Sequence, residues 1–194
     1  IEETALFRAI DSSMSTFDPF EPNPHLAVAL SGGSDSMALV LLMNEWARTR
    51  GGKITALTID HKLRPKSGLE AKNVRVWMQR CGIRHKILSW SGVKPQTAIQ
   101  SKARNIRYQL IDDWCRDNHV LHVVLGHTAD DQAETYLIRL FCKSRSTGLA
   151  GMSSIREMEH CRLLRPLLAT RRQVLRNFLT QRGQIWLDDP SNED

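Results

Sequence analysis

The sequence predicts an α/β fold, a doubly wound and mainly parallel five-stranded sheet with helices on both faces. Three observations predict it. Strand-like and helix-like stretches alternate along the chain, the order that builds a parallel sheet. The strand-like stretches are short continuous apolar runs, as expected of strands buried on both faces. Two of them end in glycine and pass directly into a helix. With 194 residues, 41% apolar and 25% charged, the chain can bury one sizeable core, and one main domain is expected.

Taken in order, His25 to Leu30 is a buried strand, and Met37 to Thr49 a helix closed by Gly51 and Gly52. Ile54 to Ile59 reads as a second strand. Ser67-x-x-Glu70 is a capping-box start for a helix to about Arg80, stopped by Gly82. His85 to Leu88 gives a third strand. After a turn at Pro95, Gln96 to Asn118 is helical; Leu121 to Leu125 is a fourth strand, and Asp130 to Lys143 a helix with acids in its first turn. Ser144 to Gly151 has loop composition. A further helix follows a second capping box, Thr170-Arg-Arg-Gln173, with Val174, Leu175, Phe178 and Leu179 on one face.

Composition narrows the classes. No run of apolar residues is long enough to cross a bilayer, and Ile1 to Arg8 lacks the basic start of a signal peptide, so a cytoplasmic location is expected. The four cysteines, at 81, 115, 142 and 161, form no Cys-x-x-Cys pair and are expected to be reduced and mostly buried. The net charge of +6 is unevenly spread: Lys62 to Arg107 holds twelve Lys/Arg against Glu70 alone. Clustered positive charge suits a polyanion, because phosphate neutralisation releases counterions, and it equally suits a solvated basic face.

Ser31-Gly32-Gly33-Ser34-Asp35-Ser36 lies between a strand and a helix. Its glycines allow a tight turn and close ligand approach, and the helix N-terminus favours an anion, so a phosphate fits. Serine hydroxyls add donors, and Asp35 makes sense beside a divalent cation. The segment lacks the Lys-Ser/Thr of a P-loop and the third glycine of the dinucleotide fingerprint. Gly126-His127-Thr-Ala-Asp130-Asp131-Gln-Ala-Glu134-Thr135 also sits where a strand meets a helix, so both segments are expected on the carboxyl rim of the sheet. Asp130 and Glu134 are four apart and Asp131 and Glu134 three apart, so one helical face carries paired carboxylates, able to hold Mg²⁺ or an amine, or simply to favour the helix dipole. Asp60-His61-Lys62-Leu63-Arg64 belongs to the same rim. Arg104 and Arg107, three apart on a helix, suit phosphate binding.

These strings resemble the pyrophosphate loop of the ATP pyrophosphatases, with their adenine nucleotide alpha hydrolase-like fold. In order and spacing they are similar to the tRNA(Ile)-lysidine synthetase family. The similarity extends to Ala103-Arg-x-x-Arg-Tyr108, Leu164-Arg-Pro-Leu-Leu168 and Asp189-Pro-Ser-Asn192. The resemblance implies a single catalytic domain over 1–194, with an N-terminal extension over 1–24 and a mobile loop over 144–160. The family's further tRNA-binding regions are expected to be absent. It also implies ATP and Mg²⁺ as cofactors, free L-lysine and the CAU-anticodon tRNA(Ile) as substrates, and no stable protein partner. Expected catalytic residues are Asp35, His61, Arg104, Asp131 and Glu134. Those for nucleotide are Ser31, Gly32, Gly33, Ser34, Asp35, Ser36, Gly126 and His127, and those for metal Asp35 and Asp131. Two details depart from the family pattern: Cys142 to Thr147 has less glycine than usual, and Gln100 stands where an acid is common. Rival readings are a thiolating enzyme of the same fold and a small-molecule amidating ligase.

Overall fold

A computed structural model describes residues 2–60, 67–90, 99–141 and 151–187. The order of elements is α1 (Glu2–Ser15), β1 (His25–Ala29), α2 (Ser34–Arg48), β2 (Lys53–Asp60), α3 (Ser67–Arg80), β3 (Arg84–Ser89), α4 (Ile99–Asn118), β4 (His122–Val124), α5 (Ala129–Phe141), β5 (Ile155–Glu157), β6 (Arg162–Leu164) and α6 (Arg172–Gln181). The sheet has six strands in the order β3-β2-β1-β4-β6-β5. All neighbours are parallel except the β5–β6 pair.

The assignments of β1 to β4 hold to within a residue or two, and the expected count of five is corrected to six. Strands β5 and β6 are three residues each and, unlike β4 within Leu121 to Leu125, contain charged residues that break any apolar run. β5 lies inside the stretch 144–160 read as a loop, and the antiparallel pairing with β6 decides its state. The N-terminal extension contains α1. Its Leu6, Ile10 and Met14, with Phe17 beyond, are buried against α2 and α6 in the larger core cluster. A second core layer packs α4 through Tyr108, Ile111 and Cys115 on the other sheet face, against Ala27, Leu57 and Val123.

α5 is a different kind of helix: none of its residues is buried, and Ile138 and Phe141 are 63% and 80% exposed. It is held by its first turn, where Thr128 and Asp131 form a capping box. The Thr128 N–H and hydroxyl donate to Asp131 Oδ2 at 2.6 and 2.9 Å, and the Asp131 N–H reaches back to Thr128 Oγ1 at 3.4 Å. Among the described residues, no helix is long and apolar enough to cross a membrane.

Strand order fixes where ligands bind. From β1 the chain proceeds outward through β2 and β3, then returns to place β4 on the opposite side of β1. The reversal falls between β1 and β4, and in open parallel sheets the binding crevice lies at that point, outside the carboxyl ends of the strands.

Candidate active site

The turn after β1 folds around one hydroxyl. Ser36 Oγ accepts the N–H groups of Ser31 and Gly32, both at 3.2 Å, lies 3.0 Å from Ser31 Oγ, and donates to the Gly33 carbonyl at 3.0 Å. Ser36 is 8% exposed. It therefore scaffolds the loop, where the sequence reading counted it among the phosphate donors. Gly32 has φ +97, a left-handed value that favours glycine. Its carbonyl accepts the Leu187 N–H at 2.9 Å. α2 then starts with Gly33 as N-cap and no side-chain cap. The first-turn N–H groups are left for an outside acceptor, and a helix N-terminus prefers an anionic one, so the segment fits the phosphates of ATP.

Gly126 brings the second motif against this loop. A Cβ there would stand 3.3 Å from the Asp35 carbonyl carbon and oxygen and from the Ser36 nitrogen. The glycine thus allows the end of β4 to lie on the start of α2. Gly126→Val is expected to push the two motifs apart and destabilise the chain by about 1–3 kcal/mol, as overpacking does. A chemical-denaturation midpoint equal to wild type would show that the backbone yields without cost.

The two motifs are joined by Arg172, an inner position of the expected capping box Thr170-Arg-Arg-Gln173. The α6 N-cap is Arg171, not Thr170, and it makes no side-chain cap bond. The expected capping box is replaced from outside: Asp130 Oδ2 accepts the Arg172 N–H at 2.8 Å, and the Thr170 carbonyl accepts the Ala129 N–H at 3.0 Å. The starts of α5 and α6 are therefore locked together. The Arg172 side chain extends between the motifs, with Nε 3.0 Å from Asp35 Oδ2, a terminal nitrogen 2.9 Å from Asp131 Oδ1, and the other 3.6 Å from Glu134 Oε1. Partial burial works against its charge, but the hydrogen bond and charge of Asp35, with Asp131 and Glu134, outweigh it and raise its pKa. Three carboxylates against one guanidinium leave a local excess of negative charge, and their hard oxygens suit Mg²⁺ or an ammonium group.

His127 is fixed from below. Arg165, itself 5% exposed, donates from Nε to His127 Nδ1 at 3.2 Å and from a terminal nitrogen to the Ser153 carbonyl at 2.6 Å. Accepting at Nδ1 leaves the proton of the neutral ring on Nε2. Burial, then the Arg165 charge, lowers the His127 pKa to about 4. Arg104 and Arg107 act on His127 in the same direction, so the arginines of α4 share its field. Arg104 also stacks over Tyr108, 5.3 Å from the ring centroid, with Arg156 at 5.0 Å.

Protonation costs follow. His85 is also pushed down to about 4 by burial, and His122 is lowered by burial while its Nδ1 accepts from Arg162. A histidine with a depressed pKa contributes stability that is complete above its ordinary value near 6.5 and is lost as pH falls towards 4. Thermal unfolding is expected to drop over that window, and His127→Gln to flatten the drop; equal melting temperatures at pH 7 and pH 4.5 would contradict it.

Of the expected site residues, the structure brings together Ser31–Ser36, Gly126, His127, Asp131 and Glu134, with Arg104 nearby. His61, Cys142 to Thr147 and Asp189 to Asn192 lie outside the described residues. Arg172 and Arg165 were missed as site residues. Arg165 stands within Leu164-Arg-Pro-Leu-Leu168, whereas Arg172 carries no sequence signal of its own.

Comparison with known proteins places the chain among relatives. The chain is 42% identical over 182 residues to a tRNA(Ile)-lysidine synthase of Orientia tsutsugamushi, covering 93% of this chain and 41% of the relative. It is 43% identical over 190 residues to one of Brucella suis, covering 93% and 42%. It thus spans about two-fifths of the length of these relatives. Among solved structures, the U34-tRNA thiolase NcsA of Methanococcus maripaludis superposes with a TM-score of 0.79 at 17% identity, over 97% of this chain and 67% of that one. The NMN synthetase of Francisella tularensis gives 0.54 at 14%, over 95% and 70%. Both share the adenine nucleotide alpha hydrolase-like fold. Over residues 6–194 the chain matches the PP-loop domain, and it belongs to that family, whose members use ATP.

Proposed function

We propose that this chain carries the chemistry of lysidine formation: ATP-dependent joining of lysine to the wobble cytidine of the CAU-anticodon tRNA(Ile). The observation that carries the reading is the meeting of the Ser31–Ser36 loop with Asp131 and Glu134 through Arg172. A phosphate-binding turn and a carboxylate cluster at one crevice suit a reaction that joins a nucleotide and an amine. The names of the 42–43% identical relatives point the same way.

In the first step the C2 carbonyl oxygen of the base attacks the α-phosphorus of ATP, an O–P bond forms, and pyrophosphate leaves. The uncapped start of α2 stabilises the charge on that leaving group. In the second step the ε-amine of lysine attacks C2, a C–N bond forms, and AMP departs with the former carbonyl oxygen. Asp131 and Glu134 hold the amine and take up the proton it loses. Asp35 and Asp131 are the residues that would hold Mg²⁺, which neutralises phosphate charge when bound. Arg104 and His61 serve the phosphates or the base. His127, neutral and carrying its proton on Nε2, donates to a phosphate oxygen or to the base. The site operates in the cytoplasm.

Among the described cysteines, Cys115 and Cys161 are buried in the second core layer and Cys81 follows α3. The test is pyrophosphate release and incorporation of labelled lysine with ATP, lysine and the CAU-anticodon tRNA. Lysine should enter only when all three are present; pyrophosphate release without lysine entering the tRNA would overturn the proposal.

A further inference from the structure

We infer that the sheet edge opposite the crevice carries a second RNA contact, a groove that takes one unpaired nucleotide of the substrate. This rests on the tRNA reading above. Because β1, β2 and β3 are parallel, their first residues share one edge, and there the sequence places His25, Lys53 and Arg84. α4 runs back across the sheet and ends at the same edge with Trp114 and Asn118. Together His25, Thr55, Arg84, His85, Lys86, Trp114 and Asn118 line an open groove of about 390 Å³, within the range of small-ligand sites.

Its chemistry is that of a nucleotide site. Trp114 is half-buried and packs edge-on against His25, with ring centroids 6.4 Å apart at 83°. Such a pair offers an aromatic wall to a base, and stacking on it is tolerant of sequence. Arg84 and Lys86 are exposed, and neither pairs with a carboxylate among the described residues. Both stand on β3, two residues apart and hence on one face of the strand, suited to one phosphate. The positive field is felt locally: after burial, the charges of Lys53 and Arg84 are what hold the His25 pKa down, with Glu21 opposing. The neighbouring acids on α4, Asp113 and Asp117, are occupied by Arg116. Arg84 and Lys86 also belong to the basic band between Lys62 and Arg107, for which the crevice gives no use at this edge.

The groove is tested with the 194-residue chain and the CAU-anticodon tRNA by measuring Kd over a salt series. Arg84→Glu with Lys86→Glu should weaken binding about tenfold or more, and make the dependence of log Kd on log[salt] shallower by about one to two contacts. Trp114→Ala should weaken it by about fivefold to a hundredfold without changing the salt slope, and Trp114→Phe should restore most of it. Circular dichroism and thermal melts check that each variant is folded. Affinity and salt slope unchanged in both variants would overturn the inference while leaving wild-type lysine incorporation, and hence the functional reading, intact. If the wild-type chain binds no tRNA, both fall. Full competition for tRNA by millimolar cytidine monophosphate, lost in Trp114→Ala, would reassign the groove to free nucleotides.

Discussion

Replacing Asp131 with alanine is expected to remove lysine incorporation at least a hundredfold, the scale on which a positioned charge or proton acceptor acts in a transition state. The same carboxylate has a structural duty. One oxygen receives the Thr128 N–H and hydroxyl, and the other receives Arg172. Losing the cap should cost about 1 kcal/mol, or about 2–4 °C in melting temperature for a chain of this size. Asp131→Asn separates the two duties, since its carbonyl oxygen still accepts from Thr128 while the charge facing Arg172 is gone. It should melt close to wild type and remain inactive. Near-normal lysine incorporation in the alanine variant would remove Asp131 from the chemistry.

Arg172→Ala should have the largest effect on the site as a whole. Its guanidinium is the internal counter-ion of Asp35, Asp131 and Glu134, and removing it leaves the carboxylates crowded without that positive charge. Hydrogen bonds to charged groups contribute about 1.5–3 kcal/mol each when well formed. The site is partly solvated, with the Arg172 side chain 27% exposed, so a net loss of about 2 kcal/mol is expected, or about 4–8 °C. Two measurements identify the cause. Melting temperature should recover when millimolar Mg²⁺ supplies the missing positive charge. Arg172→Lys should keep part of the stability but lose the fixed three-way bridge, and with it most of the activity. If neither Mg²⁺ nor lysine at this position rescues stability, the loss arises from packing at the start of α6.

Much of this molecule was legible from residues alone, for identifiable reasons. The runs His25–Leu30 and Ile54–Ile59 are buried on both faces and so contain little but apolar residues. Gly32 and Gly126 were readable because each meets a backbone demand that few side chains allow, a positive φ in one case and close approach to Asp35 in the other. Asp131 and Glu134 were readable because helix periodicity puts them on one face whatever the rest of the chain does. The edge strand β5 and its neighbour β6 were not, since neither lies in an apolar run like the one around β4, and each takes its state from partners elsewhere in the sheet. Ser36 was read as a ligand donor, and only the closed turn shows its hydroxyl occupied by Ser31, Gly32 and Gly33.

By itself, then, the sequence determined the layer architecture, the two glycine-bearing turns and the carboxylate pair, because each rests on local stereochemistry or on a short period. Tertiary structure decided what joins them. Arg172 lies 137 positions from Asp35 and 41 from Asp131, and no local rule distinguishes it from Arg171 beside it. Asp130 caps α6 from another helix, Arg165 holds His127 through a bond across 38 residues, and Trp114 meets His25 only because α4 returns along the sheet. Long-range contacts of this kind depend on where whole elements pack, and a charged side chain acquires its role from the partners that packing delivers.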